Sequence, residues 1–319
     1  MEELAQRRRV GAYGLLTEAD GRVLLARGSA LADFPGVWQL PGGGLEHAEH
    51  PAVAVVREFA EETGLVVETA GLAAVVADVI RLPDLGVALH TDRIIYHVTG
   101  VSGTLRHEAD GTTDLVAWIA PAEAAGLPLM PFTADLLGLP VTPLPEDVPP
   151  AVPRVPYDPP SPDRRQRFGA YGLVTDPEER VLLTQIADGY PGAGRWHLPG
   201  GGTDHGEQPV TALLREIVEE SGQLGRVTAL LDASSLHNPA ALGPEGRPLD
   251  WHGVRVVYRV VVEAPTVPEV TELAGGSTAR AAWFDRRAAV DLPLTDIAAR
   301  ALRLIQQPIA RRAGIDPLR

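Results

Sequence analysis

One spacing of chemically demanding residues occurs twice in this chain. Gly43, Glu49, Arg57, Glu58, Glu61, Glu62 and Gly64 stand as G-x5-E-x7-R-E-x2-E-E-x-G, and Gly201, Glu207, Arg215, Glu216, Glu219, Glu220 and Gly222 repeat the pattern 158 residues later. With each residue type near 7% of an average chain, seven fixed positions match by chance at roughly 10⁻⁸ per starting point. The repetition reaches past these positions. Gly11-Ala12-Tyr13-Gly14-Leu15 returns as Gly169-Ala170-Tyr171-Gly172-Leu173, and Trp38 with Leu40-Pro41-Gly42-Gly43-Gly44 returns as Trp196 with Leu198-Pro199-Gly200-Gly201-Gly202. The stretch from Gly11 to Gly64 aligns without a gap to Gly169 to Gly222. Such a chain is constrained to build one domain twice.

Downstream the match loosens. His90, Arg93 and Tyr96 find His252, Arg255 and Tyr258, and Ala117-Trp118 finds Ala282-Trp283. The second copy has extra residues around Asn238 to Pro248. A length of 319 residues suits two domains that each bury a core. Between them, residues 140–162 contain ten prolines, whose missing N–H groups and fixed φ forbid a helix or a central strand. Extended, that segment spans up to about 70 Å at 3.1 Å per residue, or it lies flat against one domain. The sequence therefore divides into 1–139, a linker 140–162, and 163–319.

The formal charge is −14, and no lysine occurs, so every cationic side chain is arginine or histidine. Nucleic-acid affinity rests on phosphate neutralisation, so this balance argues against stable nucleic-acid binding. Arg7-Arg8-Arg9 reads as a solvated tail. No apolar run approaches the roughly 20 residues of a membrane span, and Met1 to Val10 is too polar for a signal peptide, so the expectation is a cytoplasmic protein. The absence of cysteine rules out a disulfide, a thiolate metal site and a cysteine nucleophile.

The limits of one helix can be read in each copy. Pro51 and Pro209 fit a first helical turn, and Gly64 and Gly222 fit the left-handed position that closes a helix. Ala52, Val55, Val56 and Phe59 recur at helical spacing, as do Val210, Leu213, Leu214 and Ile217, and are expected to face the core. Glu58, Glu61 and Glu62 are then i, i+3 and i+4, so three carboxylates crowd together. Like charges at that spacing ask for a cation, and clustered carboxylate oxygens suit Mg²⁺ or Mn²⁺. Arg57 and Arg215 each lie one turn before a glutamate and are placed to orient it. A solvated acidic face would be the better reading of one such stretch; the glycine loop, the spaced Glu49 and the duplication reverse it.

The pattern, with Phe59 and Leu65 in the first copy and Ile217 in the second, resembles the Nudix box, although Gln223 departs from it. The resemblance implies an α/β fold of two tandem Nudix-type α/β/α sandwiches with mixed sheets; the β-branched runs at 93–98 and 254–262 read as strands. It further implies that Gly42 through its carbonyl, with Glu58, Glu61 and Glu62, holds the metal, and that Glu58 and Glu49 activate the attacking water. Gly200, Glu216, Glu219, Glu220 and Glu207 form the second set. Family members often recruit a further glutamate before the last strand, for which Glu108 is the candidate and Glu272 the nearest counterpart; Asp114 aligns with Ala279.

Other positions carry weaker signals. His47 and His205 contact a phosphate or are ordinary loop histidines. Trp38 and Trp196 stack on a base or fill the core, and Trp118 and Trp283 read as core. The expected function is metal-dependent hydrolysis of a diphosphate bond in a nucleoside diphosphate linked to another group: a nucleoside triphosphate, a sugar nucleotide or a dinucleoside polyphosphate. The alternative is a nucleotide-binding sensor or scaffold in which one or both domains are non-catalytic. The expected partner is the small nucleotide, and tandem copies can pack as an internal pseudo-dimer, or the chain as a homodimer.

Overall fold

The computed structural model describes residues 4–108, 110–144, 161, 163–242, 247–271 and 276–306. Most of the proline-rich segment, and Glu272, lie outside the described residues. The chain divides into two compact units, Met1–Arg167 with Ser235–Val254, and Phe168–Ser234 with Arg255–Arg319.

In the first unit the elements follow in the order β1 (Ala5–Leu15), β2 (Val23–Gly28), β3 (Trp38–Gln39), β4 (Gly42–Gly44), α1 (Pro51–Thr63), β5 (Leu65–Leu82), β6 (Val87–Gly103), β7 (Thr113–Ile119), α2 (Pro121–Ala124) and α3 (Pro131–Leu136). A mixed sheet runs β4-β1-β6-β5 and an antiparallel one β3-β2-β7. β1 pairs in parallel with β6, placing Gly11 beside Arg93 and Tyr13 beside Ile95. Val10 to Leu15 are buried in sequence, as a strand covered on both faces requires. Tyr13, Leu25, Leu40, Leu89, Ile95 and Phe132 close one apolar core, each fully buried side chain contributing about 1.5–3 kcal/mol.

The second copy repeats the plan with β8 (Arg164–Thr175), β9 (Val181–Ile186), β10 (Trp196–His197), β11 (Gly200–Gly202), α4 (Pro209–Ser221), β12 (Arg226–Leu242), β13 (Pro248–Val261), β14 (Thr278–Phe284), α5 (Arg286–Ala289) and α6 (Asp296–Gln306), of which the start of β8, the end of β12 and the start of β13 count with the first compact unit. Its strands form one sheet in the order β10-β9-β8-β13-β12, with β11 on β8 and β14 on β9. Leu173, Leu183, Leu198, Val257, Ile297 and Leu302 belong to its core. The extra residues of the second copy fall at the end of β12 and the start of β13, which at 17 and 14 residues are no longer than β5 and β6.

Both helices end where their sequences say. α1 starts on Pro51, and the Nδ1 of His50 accepts a hydrogen bond from the Ala52 N–H at 3.2 Å. Gly64 closes it at φ 72° and Gly222 closes α4 at φ 67°. The buried face is rotated from the expected one. Ala54, Val55, Phe59, Glu62 and Thr63 are buried, while Ala52 and Val56 are only half-buried. In α4 Ala212, Leu213, Ile217, Glu220 and Ser221 are buried, with Val210 and Leu214 half-buried. One glutamate of each box therefore points inward. Trp118 and Trp283, expected in the core, are half-buried. Among the described residues no helix is long and apolar enough to cross a membrane.

Candidate active site

The glycine loop is strand β4 in one copy and β11 in the other. Gly42, Gly43 and Gly44 pair with Tyr13, Ala12 and Gly11, and Gly200, Gly201 and Gly202 with Tyr171, Ala170 and Gly169. A side chain at Gly42 would place its Cβ 2.3 Å from the Ala12 carbonyl oxygen, and φ there is +141°, a backbone that favours glycine. A Cβ at Gly43 would meet the Glu58 carboxylate at 2.6 Å, and at Gly201 the Glu216 carboxylate at 2.7 Å. The strand is bare so that a helix carboxylate can lie against it.

Arg57 is the hub of the first site. Its Nε and Nη2 donate to the two carboxylate oxygens of Glu49, both at 2.9 Å. Nη1 donates to Glu58 at 2.9 Å and to Glu61 at 3.1 Å, and Nη2 reaches the Gly44 carbonyl at 3.1 Å. Arg215 does the same, with Glu207 at 3.0 Å from both nitrogens, Glu216 and Glu219 at 3.1 Å, and the Gly202 carbonyl at 3.4 Å. Sequence spacing suggested an arginine orienting one glutamate. The fold makes it the counter-ion of three, so the crowding of Glu58 and Glu61 is relieved from within the protein.

Glu62 is 4% exposed. Its Oε2 accepts from the Gly42 N–H at 2.9 Å and its Oε1 from the Thr113 hydroxyl at 2.7 Å. Glu220 repeats this with the Gly200 N–H at 2.8 Å and the Thr278 hydroxyl. Thr113 and Thr278 were not singled out from the sequence. The register that matches Ala117-Trp118 with Ala282-Trp283 also pairs these two threonines. Burial pushes the Glu62 carboxyl up to about 8, against the pull of its two donors.

Two other glutamates at the first site, Glu58 and Glu49, are tuned apart. Burial raises Glu58, with Arg57 pulling it back and the charges of Glu61 and Glu49 adding to the rise. At Glu49 burial acts in the same sense but is outweighed by Arg57 and the Glu46 N–H, which hold the carboxyl below its ordinary value. Glu58 is thus the more basic of these two carboxylates, and Glu49 is favoured as the anion paired with Arg57.

The remaining predicted residues scatter. Glu108 accepts from the Thr113 N–H at 3.2 Å, and its charge is one of those felt by Glu62. Trp38 and Trp196 are 7% and 5% exposed, packed among core side chains with Arg27 and Arg280 over their rings. His47 turns to Asp250, 3.0 Å away, while His205 is half-buried on the matching loop.

The donors of each box are hard carboxylate oxygens on rigid elements, which is the chemistry a divalent cation needs. They are not drawn together here: among the described residues the trio of His, Asp or Glu donor atoms lying within 4.8 Å of one another is His47, His237 and Asp250, not the box. Beside the first box lies a cleft of about 250 Å³ whose lining includes Arg9, Tyr13, Phe34, Gln39, Glu58 and Glu62.

The NUDIX domain family model matches residues 7–137 and 165–306, which takes in both glycine strands and both carboxylate helices. The chain belongs to the Nudix family. It is 34% identical over 127 residues to the CTP pyrophosphohydrolase of Escherichia coli K12, covering 38% of this chain and 84% of that protein. A MutT-like protein of Streptomyces ambofaciens is 34% identical over 116 residues, covering 36% and 66%. Among solved structures, a MutT Nudix hydrolase from Burkholderia pseudomallei aligns with 41% of this chain and 97% of its own, at 28% identity and a TM-score of 0.35. With relatives that are pyrophosphohydrolases by name, the chain is an enzyme of the Nudix pyrophosphohydrolase class.

Proposed function

We propose that this tandem Nudix protein hydrolyses the diphosphate linkage of a nucleoside diphosphate joined to another group, with a nucleoside triphosphate as the first candidate, and that both copies are built for the reaction. The observation that carries this is the duplication of a whole hydrogen-bond network: Arg57 and Arg215 hold three carboxylates each through corresponding atoms, and Glu62 and Glu220 are held by equivalent donors. A site kept only for nucleotide binding has no use for a carboxylate set of this kind at both places.

In this reading Glu58, Glu61 and Glu62, with the Gly42 carbonyl, would hold Mg²⁺ or Mn²⁺, and Glu216, Glu219, Glu220 and Gly200 would do so in the second copy; Glu108 adds negative charge beside the first. When bound, the cation neutralises charge developing on the phosphoryl oxygens and lowers the pKa of water. The protein's own part is proton handling and position. A water oxygen forms a bond to phosphorus, the bond from that phosphorus to the bridging oxygen breaks, and Glu58 or Glu216 takes the water's proton. Glu49 and Glu207 fix the arginine that aims the proton acceptor. The cleft with Arg9, Phe34 and Gln39 takes the nucleotide, an arginine for phosphate and the Phe34 ring for a base.

Purified protein should be incubated with a panel of nucleoside triphosphates, sugar nucleotides and dinucleoside polyphosphates with Mg²⁺, reading released phosphate, pyrophosphate and nucleoside monophosphate. Turnover that stops in excess EDTA is expected. Binding without turnover across the panel would favour a sensor.

A further inference from the structure

Within the first compact unit, a second set of ligand-type side chains converges next to the box without belonging to it. His47 lies on the loop after β4, His237 in β12, and Asp250 in β13. The His237 Nε2 is 2.7 Å from Asp250 Oδ1 and the His47 Nε2 is 3.0 Å from the same oxygen. That second approach is short but lacks the geometry of a normal hydrogen bond, and the buried His47 Nε2 has no other hydrogen-bond partner among the described residues. Two imidazole nitrogens and a carboxylate oxygen therefore lie within 4.8 Å of one another, with one nitrogen poorly oriented toward its neighbour.

The surroundings favour the same conclusion. Asp250 Oδ2 faces Arg164 at 3.4 Å, and the Asp250 N–H donates to the Asp163 carbonyl at 2.8 Å, so Oδ1 is left for the trio. His252, 0% exposed, packs edge-on against the His47 ring with centroids 5.4 Å apart. Its Nδ1 is fixed by Gln166 at 3.1 Å, and its Nε2 is buried near the Glu49 carbonyl without a hydrogen bond of normal geometry. The duplication does not demand this cluster, because Asp250 stands where the register of His90 and His252 gives Ala88 in the first copy.

We propose that His47, His237 and Asp250 bind a transition-metal ion, Zn²⁺ by preference, at a site separate from the glutamates of the box. Two imidazoles and one carboxylate suit zinc, where box carboxylates suit Mg²⁺. Ligand atoms around a tetrahedral zinc stand about 3.3 Å apart for bonds of 2.0–2.1 Å, so the two separations from Asp250 Oδ1 would open by about 0.3 and 0.6 Å. One position stays open for water or a fourth side chain. Such an ion would tie the loop that carries Glu49 to the two strands carrying His237 and Asp250, and so steady the glutamate that holds Arg57.

The test uses the full chain, stripped with chelator and returned to excess Mg²⁺ so that the box is covered. Co²⁺ is titrated as a visible stand-in and then challenged with Zn²⁺. The expected result is one equivalent of Co²⁺ with the visible absorption of a four- or five-coordinate ion, displaced by one equivalent of Zn²⁺. His237→Gln and Asp250→Asn should each weaken binding at least about tenfold while circular dichroism shows the fold retained. No such band in the unaltered chain, or a band of unchanged affinity in both folded variants, would overturn the assignment and leave the cluster a hydrogen-bonded contact.

Discussion

Arg57 grips Glu49 with two parallel hydrogen bonds, Nε and Nη2 each 2.9 Å from a different carboxylate oxygen, and uses its remaining nitrogen for Glu58 and Glu61. Only a planar fork can serve the loop and the helix at once. The loop carboxylate is thereby a fixed strut, and the helix carboxylates are held at set positions around it.

Replacing that fork by a point charge should be costly. Arg57→Lys, made together with Glu216→Gln so that residual turnover reports the first copy, should lower kcat about 10- to 100-fold, the range set by losing charge-assisted bonds of about 1.5–3 kcal/mol. Steady-state kinetics against the Glu216→Gln single variant measure it. A change under twofold would mean that the network is ornamental to catalysis.

Thr113→Val removes one of the two donors that hold the buried Glu62 and keeps the side-chain volume. The Mg²⁺ concentration giving half-maximal rate, again in the Glu216→Gln background, should rise about 10- to 100-fold, as for other groups that orient a metal ligand, while loss of the buried donor lowers stability by about 1–3 kcal/mol. Thr278→Val with Glu58→Gln gives the mirror experiment. An unchanged Mg²⁺ dependence in both would remove Glu62 and Glu220 from the ligand set.

How much of this was legible in the sequence differs by residue. Pro51 and Gly64 mark the helix because their effects are local, a missing N–H and a left-handed φ. The inward turn of Glu62 is a matter of tertiary packing, but it left a trace: Val55, Phe59 and Glu62 fall at i, i+4 and i+7, so the glutamate sits on the apolar stripe and needs buried donors. Leu213, Ile217 and Glu220 say the same. The donors themselves, Thr113 and the Gly42 N–H, lie 51 and 20 residues away and depend on sheet register. Nor was the length of β5 and β6 foreseen, at 18 and 17 residues, since long strands interrupted by register shifts at Val66/Glu68, Thr69/Gly71 and Leu72/Ala74 break simple alternation. His47 could not be read because its partners, His237 and Asp250, are brought to it only by folding.

His197 gives a pH dependence that the first copy lacks, since Gln39 takes its place there. Burial, then the charge of Arg255, depresses this imidazole to about 4, and its Nδ1 is 2.7 Å from the Thr295 hydroxyl. The unfolded chain, with an ordinary imidazole near 6.5, binds the proton more readily between those values. The contribution to stability is therefore complete above about pH 6.5 and is lost as pH falls toward 4. Urea midpoints for the protein and for His197→Gln at pH 7.5, 6 and 5 should diverge in slope, the variant losing less stability on acidification. Parallel slopes would contradict this.

Glu58 and Glu216 are the groups on which turnover depends most directly. Glu58→Gln, Glu216→Gln and the double variant should be assayed with Mg²⁺ on the best panel substrate. Each single change should reduce the rate, Glu58→Gln by more because the first site also has Glu108 beside Glu62, and the double variant should fall by at least about 10²-fold, as expected when a positioned proton acceptor is lost from both sites. A folded double variant that turns over substrate at the original rate would contradict it.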